Sequence, residues 1–416
     1  MSSTEQEFSP APAVAVQAEH VKVAAIDTRD AYLQAVHDIA GGYGPIAVDA
    51  ERASGFRYSQ RAYLIQMFRR GAGTFLFDPP AIGRLDALND AIRDEEWIFH
   101  AASQDLACLR EVGLDPVRIF DTELGARLAG LPRVGLGTIV ESLLGVHLAK
   151  EHSAADWSTR PLPQSWLVYA ALDVELLVDL REAVAGLLRA DGKTEIAEQE
   201  FAAELVHKPK PVNPEAWRRL SGLHSIRSPQ ALAVARELWL ARDTYARQID
   251  TAPGRLVPDS SLVAAAKALP ATKRELAALR AFNGRASRTE LPLWWAAIEA
   301  GRTSEDLPSL RVSGDTIPPA RAWSDRNPDA DKRLKHARAA FAVVSERMNI
   351  PVENLLTPHT LRQLAWSPPE DGVDGVRRAL AELGARAWQI DATAQTIADA
   401  FVEARQPAAE SPETSS

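Results

Sequence analysis

The sequence predicts an α/β amino-terminal domain built on a mixed sheet, followed by two all-α helical domains. Three observations carry that reading. Five short apolar runs fall within the first 120 or so residues, the first three separated only by short turns and the last two by helical patterns. Two proline-containing stretches, residues 206–214 and 303–332, interrupt the chain without sustained periodicity. Beyond the first of them, apolar spacing is helical almost throughout.

Taken in order, the strand candidates are residues 45–50, 62–69, 74–78, 97–100 and 118–120. Adjacent strands joined by tight turns pair antiparallel, whereas strands joined through helices pair parallel, so the sheet is mixed with helices on both faces. A long helical segment is expected over 165–190 and another over 195–207. The run Lys-Pro-Lys-Pro-Val-Asn-Pro at 208–214 cannot continue a helix. Residues 215–302 read as a helical domain with turns at 252–254, 258–259 and 269–270, and with Asp259 and Ser260 as helix caps. Residues 333–405 read as a further helical domain, with helices at 333–348, 360–366, 373–383 and 392–405. Trp366 and Trp388 fit its core. The small, polar ends, 1–20 and 406–416, are expected to be disordered. The first domain then spans residues 21–205.

Composition bounds the function. Hydrophobic residues make up 46% of the chain, ample for several cores, and the single cysteine, Cys108, excludes an internal disulfide. No run is apolar enough to span a membrane, and the first 21 residues lack the basic start of a secretory signal. A monomer in the cytoplasm is expected. The formal charge of −9 argues at first against a nucleic-acid partner. It is unevenly distributed: residues 206–255 carry nine Lys and Arg against four Asp and Glu. A basic face for nucleic acid, or an ordinary solvated one, fits that window.

The candidate site consists of Asp49, Glu51, Asp105, Tyr169 and Asp173. Asp49 and Glu51 end the first strand two residues apart, so their side chains share one face. Asp105 opens a helical pattern just beyond the fourth strand. Tyr169 and Asp173 lie four apart on a helix, with Cβ atoms roughly 5–6 Å apart. Four hard oxygen donors suit two magnesium or manganese ions, and such ion pairs serve phosphodiester hydrolysis by in-line displacement. The phenol of Tyr169 would hold or polarise the attacking water rather than act as a strong base.

These segments resemble the motifs of the DEDDy class of 3′-to-5′ exonucleases: Asp-x-Glu, a downstream Asp, and Tyr-x-x-x-Asp. The resemblance is to the ribonuclease D family, and it extends through Tyr63-Leu64-Ile65-Gln66, Phe120-Asp121-Thr122, Lys150 and Ser153 to Leu162, covering most of residues 22–190. It implies a ribonuclease-H-like exonuclease domain, two Mg2+ or Mn2+ ions held by Asp49, Glu51, Asp105 and Asp173, and release of nucleoside 5′-monophosphates from RNA 3′ ends, as in tRNA precursors or other structured RNA. Residues 231–250, followed by Leu-Val-Pro-Asp at 256–259, resemble the HRDC module of that family and of RecQ-type helicases, and the last helices resemble its second, HRDC-like module. The first motif departs from the family's usual Asp-Thr-Glu-Phe at Ala50 and Arg52.

Further substrate contacts are assigned to Gln66, His100, Lys150 and Arg52. Each has a plainer reading, as surface charge for Lys150 and Arg52 and as a hydrogen-bonded structural group for His100. Arg160 is read in the same two ways, and Asp121 is expected to cap the helix after it or to hydrogen-bond a group behind the site. A DNA exonuclease of the same class, and an inactive RNA-binding protein that kept the fold, are the alternatives.

Overall fold

The computed structural model describes residues 14–15, 23–148, 154–207, 213–310 and 317–406. Six strands form one sheet: β1 (Ala25–Ile26), β2 (Tyr43–Arg52), β3 (Ala62–Arg70), β4 (Gly73–Phe77), β5 (Glu96–Phe99) and β6 (Arg118–Asp121), in the order β1-β4-β3-β2-β5-β6. The β2–β3 and β3–β4 pairs are antiparallel; β1–β4, β2–β5 and β5–β6 are parallel. The sheet is therefore mixed, as the linkers between its strands require.

Burial explains why β2 is central. Ile46, Ala47 and Val48 are consecutive and all fully buried, the pattern of a strand covered on both faces. On one side lies helix α1 (Arg29–Ala40), capped by the Thr28 side chain and burying Tyr32, Ala35 and Ile39 at helical spacing. On the other, a smaller cluster packs Leu64 and Leu76 against Trp157, Leu167 and Ala171.

The segment expected as one helix over 165–190 is two, α2 (Gln164–Glu175) and α3 (Leu177–Ala190), broken at Leu176. No glycine or proline marks the break. The halves pack on different neighbours, α2 against β3 and β4 and α3 against β5 and the helix Thr122–Leu128, and tertiary packing imposes the change of direction. Helix α4 (Thr194–Val206) completes this unit. Val14–Ala15 pair in parallel with Val146–His147, which departs from the disorder expected of residues 1–20. The rest of that tail, most of 406–416, and the core of the 206–214 linker lie outside the described residues.

Downstream, α5 (Pro229–Gln248) and α6 (Leu291–Thr303) cross where Gly301 lies on Val234; a Cβ there would come 2.5 Å from the Val234 Cα. Residues 215–225 form two 3-10 turns rather than α-helix. Asp259 is not a cap: Pro258 holds that position, and the Asp259 carboxylate pairs with the buried Arg242 at 2.8 Å and accepts from the Ser221 amide. Beyond residue 317, the helix expected to start at 333 begins at Pro328, capped by Asn327, and the last helix begins at Ala387 rather than 392. Asn327-Pro328 carries the cap-then-proline signature. Trp388 is buried and Trp366 stacks obliquely on Trp323, so both belong to the core.

Both helical units dock on the first. Tyr58 donates to Asp243, the Ser59 amide and Tyr63 hydroxyl donate to Asp250, and Arg255 lies over Phe56. The last helices share one apolar core with the sheet. There, buried Glu200 of α4 accepts from the Arg386 guanidinium and from the Trp388 indole at 2.7 Å. Glu200→Ala leaves the buried Trp388 indole and the half-buried Arg386 guanidinium unpaired and is expected to lower the unfolding free energy by about 2–4 kcal/mol, read as a reduced urea midpoint. An unchanged midpoint would mean that this contact is not holding the units together.

Candidate active site

The site grows from the end of β2. Asp49 pairs with Gln66 across the antiparallel β2–β3 ladder, and Glu51 with Leu64, so both carboxylates leave the same face of the sheet. Gln66 is fully buried and its amide Nε2 reaches Asp49 Oδ2 at 3.4 Å. Its contact is with the acid, not with solvent or substrate. Helix α2 lays Tyr169 and Asp173 across these strand ends, where the two side chains hydrogen-bond to each other.

Carboxylate oxygens of Asp49, Glu51 and Asp173 all lie within 4.8 Å of one another. Asp105 faces the same cavity of about 310 Å3, which is also lined by Arg52, His100, Gln104, Leu136 and Tyr169. Three of the four expected acids thus meet directly. The fourth is engaged by Arg52, whose guanidinium sits 3.6 Å from Asp105 and also donates to the Gln104 carbonyl. Arg52 is therefore not a plain surface arginine: its guanidinium lies against Asp105 at the wall of the cavity.

Crowding of buried acids has an electrostatic consequence. Burial, then Asp49, Asp173 and Asp105, push Glu51 up to about 10. Burial and Asp49 raise Asp173 to about 8, and burial raises Asp49 and Asp105 as well. Without a counter-charge this cluster retains protons at neutral pH. A hard divalent cation relieves the same repulsion, and an all-oxygen donor set without His or Cys fits Mg2+ or Mn2+. Burial beside Asp173 and Glu51 pushes the Tyr169 phenol up, so it keeps its proton and acts as a donor. Tyr169→Phe is expected to lower kcat by about 10- to 100-fold with little change in divalent-ion affinity. Loss of ion binding in that variant would assign Tyr169 to holding the acids instead.

The remaining expectations divide. His100 lines the cavity and bonds Thr122 Oγ1 at 3.0 Å, with burial lowering its pKa, so its ring is oriented from within the protein. Lys150 lies outside the described residues. Arg160 clamps Asp78 with two nitrogens and belongs to the scaffold. Asp121 caps its helix as expected. In the basic window, Arg218, Arg236, Arg242 and Arg247 are each paired with a carboxylate, so much of the excess charge is spent within the protein. Gln104 and Leu136 were not singled out from sequence; adjacency to Asp105 was the only signal available for Gln104.

With this geometry in place, the likenesses to known proteins fall into register. Family models described as 3'-5' exonuclease, HRDC domain, and 3' to 5' exonuclease C-terminal domain match residues 23–188, 231–298 and 316–401. Ribonuclease D of Jannaschia is 31% identical over 318 residues, covering 73% of this chain and 80% of that protein. A crystal structure of a protein from Bifidobacterium adolescentis is similar with a TM-score of 0.83 and 37% identity, over 91% of this chain and 96% of that one. Escherichia coli RNase D, described as an exoribonuclease involved in structured RNA processing, superposes with a TM-score of 0.68 and 26% identity, over 93% and 100% of the two chains.

Proposed function

The chain belongs to the ribonuclease D family and is a 3′-to-5′ exoribonuclease; from that premise we propose that it trims the 3′ ends of structured RNA, tRNA precursors among them, releasing nucleoside 5′-monophosphates. The observation that carries the reading is the convergence of Asp49, Glu51 and Asp173 beside Tyr169 in one cavity. Its proposed setting is the cytoplasm, and its proposed state is a monomer. No described helix is long and apolar enough to cross a membrane.

In this proposal Asp49, Glu51 and Asp173 would hold two divalent ions, with Asp105 completing the set. Bound there, such ions neutralise the scissile phosphate and make a water nucleophilic near neutral pH. The protein's own groups do the rest. Gln66 fixes Asp49 from the neighbouring strand through its amide. Tyr169 keeps its proton, which it directs at Asp173 in this structure and would turn to an oxygen of the reacting centre once Asp173 holds a cation. Leu136 and Leu177 close the cavity with apolar surface and limit competing water.

The test is digestion of a 3′-extended tRNA beside a DNA strand of the same sequence, with Mg2+ and with chelator. Stepwise 3′ shortening of the RNA that stops with chelator is expected. Equal digestion of DNA would reassign the substrate, because the 2′-hydroxyl is what separates the two. Activity persisting in chelator would overturn the metal-dependent mechanism.

A further inference from the structure

A second pair of buried carboxyls lies behind the catalytic one, and the reaction as described makes no use of it. Asp121, at the end of β6, accepts four backbone N–H groups: Ala101 at 3.1 Å, Ala102 at 2.7 Å, Glu123 at 2.8 Å and Leu124 at 3.0 Å. The first two belong to the turn that delivers Asp105. That turn carries strain, because Ala101 sits at φ 68, a left-handed conformation costing a residue with a Cβ roughly 1–2 kcal/mol. Such a residue persists only where its surroundings hold it.

Glu204 of α4 closes on the same turn. Its carboxyl faces Asp121 and the Ser103 amide across one small cavity. Two carboxyls bond only if one supplies a hydrogen, and Asp121 is already committed to four donors. Glu204 Oε2 is buried without a conventional donor, which marks it as the oxygen that carries the proton. Burial and the Asp121 charge push Glu204 up to about 8, in keeping with that assignment. Asn354, from the last helical unit, lines the same cavity of about 250 Å3, and its Oδ1 is likewise buried without a donor. Gln104 lines both this cavity and the catalytic one.

We propose that Glu204 is a positioning residue of the exonuclease site: by bonding Asp121 and the Ser103 amide it locks the Ala101–Gln104 turn and so sets where Asp105 stands. The lock also ties the site to the carboxy-terminal helices. The helix that carries Glu204 is the one whose Glu200 holds Arg386 and Trp388. This inference rests on the reading of Asp105 as a member of the site.

The experiment compares Glu204→Leu, Glu204→Gln and Asp105→Ala in the full chain. It reads kcat and KM on RNA, thermal melting, and Mn2+ affinity by calorimetry without RNA. Leucine removes both bonds, whereas glutamine still donates to Asp121 and accepts from Ser103. Glu204→Leu is expected to lose about tenfold in kcat and several-fold in Mn2+ affinity, with KM within about twofold. Glu204→Gln is expected to recover both to within about threefold of the native chain.

Should Glu204→Leu fail to fold, the glutamine variant decides, since kcat below about a tenth of native in a folded Glu204→Gln overturns the proposal. Native kcat and Mn2+ affinity in a folded Glu204→Leu, beside an inactive Asp105→Ala, likewise overturn it while leaving the site intact. An active Asp105→Ala would instead remove the reading on which it rests.

Discussion

Asp49→Asn is expected to reduce kcat on RNA by about 1000-fold or more, a loss of roughly 4 kcal/mol in transition-state stabilisation. The substitution keeps the shape of the side chain and its contact with Gln66, and removes only the charge. Asp49 stands between Glu51 and Asp173, and its charge is among the causes that raise both of them. With that charge gone, the repulsion among the buried acids falls. The metal-free Asp49→Asn protein is therefore expected to melt at or above the temperature of the native chain. A catalytic group is separated from a structural one by this opposite movement of activity and stability. Asp173→Asn should behave in the same way. Retained cleavage in either variant, or inactivity accompanied by a lowered melting temperature, would sink the assignment.

The second large effect is a reversal of pH dependence by divalent ions. Glu51 titrates at about 10 and Asp173 at about 8 in the folded protein, far above their unfolded values near 4. Across that window the folded state binds more protons than the unfolded chain, so stability falls as pH rises. Below about pH 4 both states are protonated and the cluster costs nothing extra. A bound cation displaces those protons and is favoured as pH increases. The gain in melting temperature on adding Mg2+ or Mn2+ is thus expected to be clearly larger at about pH 9 than at about pH 6.5. Taking the difference with and without ion cancels Glu204, which also titrates at about 8 but lies in the other cavity. Equal gains at both pH values would mean that the ions do not bind among these acids.

The parts of this site that sequence revealed follow from local geometry. Asp49 and Glu51 share a face because strand side chains alternate, and Tyr169 and Asp173 share one because helices repeat every 3.6 residues. Both relations hold in the structure, on β2 and α2. Arg52 was not legible in the same way. Its partner, Asp105, is 53 positions away in sequence, and only the β2–β5 pairing brings the two strand ends together. Gln66 illustrates the same limit. It reads from sequence as a substrate contact, but the antiparallel register places it beside Asp49 on the same face, where it is sealed from solvent.

Helix boundaries show the contrast again. Asp121 could be read as a cap because its carboxylate accepts the first free N–H groups of a helix, whereas the helix that Asn327 caps is expected from sequence to start only at 333. The break at Leu176 could not, since it follows from two halves of one apolar segment packing on different surfaces. The basic window over 206–255 was visible as composition, whereas the pairing of Arg236, Arg242 and Arg247 with Asp306, Asp259 and Asp243 required the fold.

By itself, then, the sequence determined the α/β unit with helical units behind it, the order of its elements, and the chemical kinds of group at the site, because these depend on periodicity and residue type over a few positions. Tertiary structure alone decided which oxygens converge, that Arg52 occupies Asp105, and that Asp121 and Glu204 grip the turn behind it. Asp49 and Asp173 lie 124 positions apart, Arg52 and Asp105 53, and Asp121 and Glu204 83, and the energies of these contacts come from burial and low dielectric, properties of the packed interior that no local pattern encodes.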